Sequence, residues 1–509
     1  MPTFTCIVEI DWDGSGTFDG GNETVTGDVL AIGVRRGRSA VNSEVSPGSC
    51  SLTLLNTSGL YSPFNSSSAI YGSVKPGRAL RVRVTDSAAT THAMFYGYIT
   101  SFAESLTPSG VNIVSIQALD AFDLLRFGSI RLSLQESQRP DQLITTILDA
   151  ISWPAGLRSL GTALSTVAQF WQHRATPIAA LKEAAKSEPG GEFYISRAGE
   201  VTFANRLARS SRSSSFTITN MKDIAVELRR EDLYDEVHHT RAGLTTDTSN
   251  TTLFTDTPGK RAIQPGSAAA QNTIHGQLTV GGKSLVSPVA TTDYTANSAA
   301  DGSGTDKTAQ LTVSSFTSYG GGFSITWANA DSSPVYLRGP GAADGFQIRG
   351  LAVRQSNDER RIEVAVASPV ISDQVLSDTW QYLDDVDAIS GYAHYRAATF
   401  ANLLPRPVIS RRMATNAETA LFLALELGHV IRITNTSGLY PSQINDLFYV
   451  EQISWDIKPG VDAVCQLTCF HRDLAGGSMF RISGAAGGGA DYSLISTAGA
   501  TTGYDRIGW

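Results

Sequence analysis

Two stretches far apart in this chain follow one strand plan, and that repetition narrows what it can fold into more than any other feature. The later stretch opens with Gly428-His-Val-Ile-Arg-Ile433 and continues with Leu447-Phe-Tyr-Val-Glu-Gln-Ile-Ser-Trp455. It turns at Pro459-Gly460 and ends with Ala463-Val-Cys-Gln-Leu-Thr-Cys-Phe470. The earlier one opens with Gly77-Arg-Ala-Leu-Arg-Val-Arg-Val84 and continues with Met94-Phe-Tyr-Gly-Tyr-Ile-Thr-Ser-Phe102. It turns at Pro108-Ser-Gly110 and ends with Val111-Asn-Ile-Val-Ser-Ile-Gln117. Each holds a glycine, an alternating strand bearing arginine, a Phe-Tyr strand, a Pro/Gly turn and a further alternating strand. Two β-modules related by duplication follow from that order. The hexapeptide Asn-Thr-Ser-Gly-Leu-Tyr also occurs twice, at 56–61 and 435–440, but on opposite sides of the Arg strand.

A chain of 509 residues is too long for one core and implies about three or four domains. Its 47 glycines, with many Ser, Thr and Ala, suit short strands joined by turns. A net charge of −8 argues against a protein that wraps nucleic acid, which needs a positive surface. No apolar run approaches the roughly 20 residues that span a bilayer. The opening Met-Pro-Thr-Phe-Thr-Cys lacks the basic region and apolar core of a secretory signal. Cys465 and Cys469, four apart on one strand, stand roughly 13 Å from each other along it. That is beyond the reach of a disulfide or a shared zinc, so reduced, core-packed thiols are expected.

In chain order the pattern predicts a mainly β fold with an α+β insertion. Residues 1–118 form the first β-module, with strands near 4–10, 29–38 and 49–55. The period then moves from 2 towards 3.6, giving a small α+β domain over 119–225. Its helices lie at 140–151, where Pro140 suits the first turn, and at 178–187, where Thr176 is the N-cap. A hairpin over 192–203 turns at Arg197-Ala-Gly199. The second β-module takes 226–241 and 355–472 and includes a helix over 372–404. Between its parts, 242–354 reads as an inserted β-sandwich, expected to fold as an independent unit. Residues 473–509 are a Gly/Ala-rich extension unable to order itself. Its Tyr504, Ile507 and Trp509 are candidate assembly residues that dock on a neighbouring protein.

Chemistry is sparse. Asp11-Trp-Asp13-Gly-Ser15-Gly16 imitates the start of a calcium loop, with Asp19 following. Asp11, Asp13, Ser15 and Asp19 are therefore weak candidate metal ligands. The bidentate Glu at position 12 is missing, because Asn22 stands there, and a plain β-hairpin loop is the competing reading. Gly281-Gly-Lys-Ser284 lacks the earlier glycine of a phosphate loop. His238 and His239 would face opposite ways on a strand. His394 and Tyr395 fall on a helix and read as packed or solvated. No nucleophile elbow, zinc-helix or dinucleotide motif appears. No cofactor and no catalytic residue are expected.

Several short motifs in order resemble the tail hub (minor tail) proteins of long-tailed bacteriophages, as they occur in siphophages. They are Asp11–Phe18, Ser51-Leu-Thr-Leu-Leu-Asn56, Tyr61-Ser-Pro63, Pro76–Val82 with Phe95-Tyr-Gly-Tyr98, Phe193–Phe203 and Asp505-Arg-Ile-Gly-Trp509. The resemblance covers most of the chain and is weakest over 242–310. It implies two tail-tube-like β-barrel modules per chain and a homotrimer whose six barrels form a ring. That ring would join the sixfold tail tube to the tip, within the virion. Implied partners are the distal tail protein, the tape measure protein and tail fibre or receptor-binding proteins. Phage DNA would pass through the channel, and an acidic protein suits passage without sticking. Two rival readings are a glycan-binding adhesin acting through 242–354, with Trp327 or Tyr336 stacking on sugars, and a tail-associated cell-wall hydrolase.

Overall fold

The computed structural model describes residues 3–472 apart from 39–43, 220–223, 228–233, 257–260, 267–271, 343–344, 357–359, 367–373, 401–405 and 436–443. The extension with Tyr504, Ile507 and Trp509 lies outside the described residues. The fold is mainly β.

The first module has six strands: β1 (Thr5–Ile10), β2 (Val29–Gly37), β3 (Ser46–Leu55), β4 (Ala79–Thr85), β5 (Thr91–Leu106) and β6 (Asn112–Leu119). They pair antiparallel in the order β1-β4-β5-β6-β3-β2. Alternation explains β4: Leu80, Val82 and Val84 are buried while Arg81 and Arg83 point away. Both guanidiniums grip Glu9 on the adjacent β1, with Arg83 Nη2 2.8 Å from Glu9 Oε2.

The second module also has six: β7 (Ser214–Thr219), β8 (Ile224–Glu227), β9 (Arg406–Arg412), β10 (Val430–Asn435), β11 (Ile444–Lys458) and β12 (Asp462–His471). Their order is β7-β10-β11-β12-β9-β8, so the two modules share chain order and neighbour order alike. From Gly77 to Val82 and from Phe95 to Ala118 a shift of 351 residues carries the paired strands of one onto the other. Gly77 and Gly428 both have positive φ, and each donates its N–H to a residue at a bulge, Ile99 or Val450. Arg81 matches Arg432, Tyr98 matches Tyr449 and Pro108 matches Pro459. The Phe-Tyr dipeptides that mark both strands in the sequence sit two residues out of that register. A shift of two keeps a side chain on the same face, which is why the pattern still shows.

Sequence expectation and structure differ here in two places. The expected second module began at 226, but β7 and β8 already belong to it. Strand 236–241 instead forms a separate three-stranded sheet with 360–365 and 375–380. Ser211–Thr219 is serine-rich, with only Phe216 and Ile218 to signal a strand. The helix expected over 372–404 starts later, as Val386–Phe400, where Asp385 accepts from the Ala388 N–H at 2.9 Å. Val375–Trp380, with its own alternation, is a strand.

Between β6 and β7, helices Pro140–Ala150 and Pro177–Lys186 pack with the hairpin Glu192–Ile195/Val201–Ala204 around a second core. Thr176 caps its helix by accepting from Ala179 N. Between 244 and 355 three small sheets surround a third core holding Phe323, Trp327 and Phe346. The Gly320–Gly322 turn of this region lies against Trp171 and His173 of the α+β domain, and Gly320 donates to the Leu132 carbonyl at 3.0 Å.

Candidate assembly interface

The two modules meet edge to edge within the chain. β2 pairs antiparallel with the far half of β11, in the register Ile32 with Ile457, Gly33 with Asp456, Val34 with Trp455 and Gly37 with Gln452. One sheet of twelve strands results, and one apolar core runs through both modules, holding Val8, Leu52 and Ile116 with Ile431, Trp455 and Leu467. At the end of the seam Gly37 has φ +110°, and a Cβ there would lie 2.0 Å from the Glu451 carbonyl oxygen. Only glycine fits that conformation and that approach.

A charged cluster locks the seam. Arg36 is in phase with Ile32 and Val34 on β2, so its guanidinium is carried inward. Its Nη2 donates to the Ile195 carbonyl and to Glu426 Oε1, both at 2.8 Å, and the two side chains are 5% and 14% exposed. Glu426 also accepts from the N–H groups of Arg197 at 3.0 Å and Leu427 at 2.8 Å. Burial pushes its carboxyl upward, but Arg36 and these donors outweigh burial and hold it below the usual range. Arg38 pairs with Glu451 at 2.7 Å. Module one, the α+β hairpin and module two are thus fastened at one point. The sequence reading missed Arg36, Arg197 and Glu426. Its available signal was an arginine on the apolar phase of a strand.

A cleft of about 290 Å³ lies beside this cluster, walled by Arg38, Glu188, Gly190, Trp380, Tyr392 and Glu451 among others. Its carboxylates are engaged: Glu188 by Arg206 at 2.7 Å, Glu451 by Arg38, and Asp378 by Arg396. Held this way they act as acceptors in ion pairs.

The candidate metal ligands are only partly gathered. Asp11 and Asp13 come together with Glu23, while Ser15 and Asp19 turn to Thr17, at 2.9 Å each. Asp11 accepts from three backbone donors: Gly14 N at 2.7 Å, Ser15 N at 3.1 Å and Gly16 N at 2.9 Å. Glu23 accepts from Gly20 N at 2.7 Å. These contacts build a tight loop after β1. His238 and His239 are both buried on their strand. His239 packs against Trp380 and Tyr392, and burial pushes its pKa down to about 4. His394 lies on the helix Val386–Phe400. All four cysteines are free and buried. Trp327 is fully buried between Tyr294 and Phe346, which removes it as a sugar-stacking platform, and Tyr336 is half-buried.

No family model matches the sequence, and no curated protein matches it. Among solved structures the chain is similar to phage and prophage tail proteins. The 43 kDa tail protein of prophage MuSo2 from Shewanella oneidensis is 11% identical, with a TM-score of 0.48 over 93% of this chain and 99% of that one. A tail protein from Neisseria meningitidis is 8% identical, with a TM-score of 0.47 over 92% and 96%. The E. coli c3393 protein, a type VI secretion component, is 10% identical, with a TM-score of 0.41 over 91% and 76%.

Proposed function

We propose that this chain is a structural protein of a phage tail, the hub (minor tail protein) at the tip of a siphophage tail. Three copies close a ring of six β-modules, first and second alternating. The observation that carries this reading is the pair of modules with one strand order, already joined edge to edge inside the chain. A head-to-tail contact closes into a ring when its rotation divides a full turn, and three chains supply six module positions. Such a ring offers the sixfold tube and the threefold tip one surface each. The distal tail protein, the tape measure protein and tail fibre or receptor-binding proteins are its proposed neighbours. Its net charge of −8 suits a channel through which DNA passes without being held. No step of this role calls for a catalytic group.

The test is the mass and symmetry of the purified full chain. Three chains of 54.2 kDa give about 163 kDa, and particle images should show six lobes about a threefold axis. A protein that stays a single chain at all concentrations and inside the finished tail overturns the proposal.

A further inference from the structure

The internal seam has an unfilled counterpart. Carrying β2 onto β8 by the shared strand order places Ile224 where Ile32 stands, since Ile32 pairs with Leu52 and Ile224 with the matching Ile409. Ala225 then takes the place of Gly33 and Val226 that of Val34. On the other strand, Leu106 takes the place of Ile457 and Ser105 that of Asp456. Among the described residues β8 ends the twelve-strand path, bonded to β9 on one side. Among them too, the far half of β5 pairs with β6 on one side, whereas the far half of β11 is paired on both sides, with β12 and with β2. Burial follows the difference: Leu106 is 72% exposed and its counterpart Ile457 is 2% exposed.

We infer that β8 of one copy pairs with the far half of β5 of the next, antiparallel, in the register Ile224 with Leu106 and Ala225 with Ser105. The occupant of each edge is a second copy of this chain, because the chain itself contains the matching edge in the matching register. A strand edge with no strand beside it otherwise invites indiscriminate pairing. Leu106 would be covered between copies as Ile457 is covered within one. The inference rests on the ring reading only in taking the neighbour to be another copy.

The test is a pair of cysteines in the full chain, Ser105→Cys with Ala225→Cys. Residues facing each other across antiparallel strands have Cα atoms about 4.5–5.5 Å apart, within disulfide reach. Both sites are exposed, and the four native cysteines are buried. After mild oxidation the double variant should run as a covalent three-chain species, with each single variant remaining one chain. Ala103→Cys with Ala225→Cys, two residues out of register, should link at least tenfold less. A three-chain assembly by mass with no cross-link overturns this seam and leaves the ring reading standing. A single chain with no cross-link overturns both. Cross-linked rings of another number keep the seam and overturn the trimer. Leu106→Asp should leave the thermal midpoint of the single chain unchanged and raise the concentration needed for assembly at least tenfold. An unchanged assembly concentration overturns the burial of Leu106.

Discussion

The two modules share strand order and register, yet they differ where their edges are used. In the second module Ile453, Trp455 and Ile457 line the inner face of β11, beneath the β2 seam, and all are buried. At the matching positions the first module has Phe102, half-buried; Glu104, bound by Asn56 and Asn112; and Leu106, exposed. A second difference lies at the opposite end. β1 runs antiparallel to β4, whereas β7 runs parallel to β10. In the second module β7 and β8 therefore border β10 and β9 respectively, while in the first the Asp11 loop separates β1 from β2. One backbone plan thus carries two side-chain solutions. An edge filled within the chain can be apolar, while an edge left open at the surface needs polar or isolated apolar side chains.

The most unequal matched pair of residues is Trp455 and Glu104. Trp455→Ala should lower stability by about 3–5 kcal/mol, as for a large aromatic lost from a core. Glu104→Ala, at the same place in the first module, should stay within about 1 kcal/mol. Urea unfolding of the two full-length variants checks this, and equal shifts would mean that the modules do not differ in edge use.

Next comes the lock. Arg36→Ala removes the nearer of the two cations of Glu426, leaving only the Arg197 guanidinium 3.9 Å away, and should lose about 3 kcal/mol. The exposed Lys75 stands two residues before Gly77, as Glu426 stands two before Gly428, and Lys75→Ala should change stability by less than about 0.5 kcal/mol. The lock also sets an acid dependence. Glu426 is held below its unfolded value of about 4.3, so its contribution is present above that pH and lost as pH falls through the folded value. In melts across pH 3 to 6, Glu426→Gln should flatten this part of the profile. A wild-type slope surviving in the variant would place the acid sensitivity elsewhere.

A smaller effect is expected at the end of the seam. Gly37→Ala must adopt a left-handed conformation and displace the Glu451 carbonyl, which should lower stability by about 1–3 kcal/mol by thermal melt. A neutral result would show that β2 ends its pairing before Gly37.

The smallest effect concerns the loop that only the first module carries. Asp11 already accepts three backbone N–H groups, so chelation with EDTA should leave the melting temperature unchanged. A rise of several degrees with calcium, abolished by Asp13→Asn, would make this loop an ion site and the difference between the modules a chemical one.

The sequence by itself determined β1 to β6 and β10 to β12, because alternation, Pro/Gly turns and arginine-bearing strands are local signals that neighbouring residues impose on the backbone. The helix caps at Pro140 and Thr176 and the buried, unpaired cysteines were legible for the same reason. The resemblance to tail hub proteins rested on such local motifs too. Tertiary structure alone decided the rest. The β2–β11 seam joins residues more than 400 positions apart, and nothing local in either strand names its partner. The placement of β7 and β8 depended on unfilled edges on both sides of the second module, which lent strand structure to the serine-rich, weakly patterned Ser214–Thr219. Arg36 and Glu426, 390 residues apart, show their purpose only when folding buries them together, because a charge is tolerable there only beside its counter-charge. The duplication was readable in one dimension; how its two copies meet is a property of edges, which form only in three.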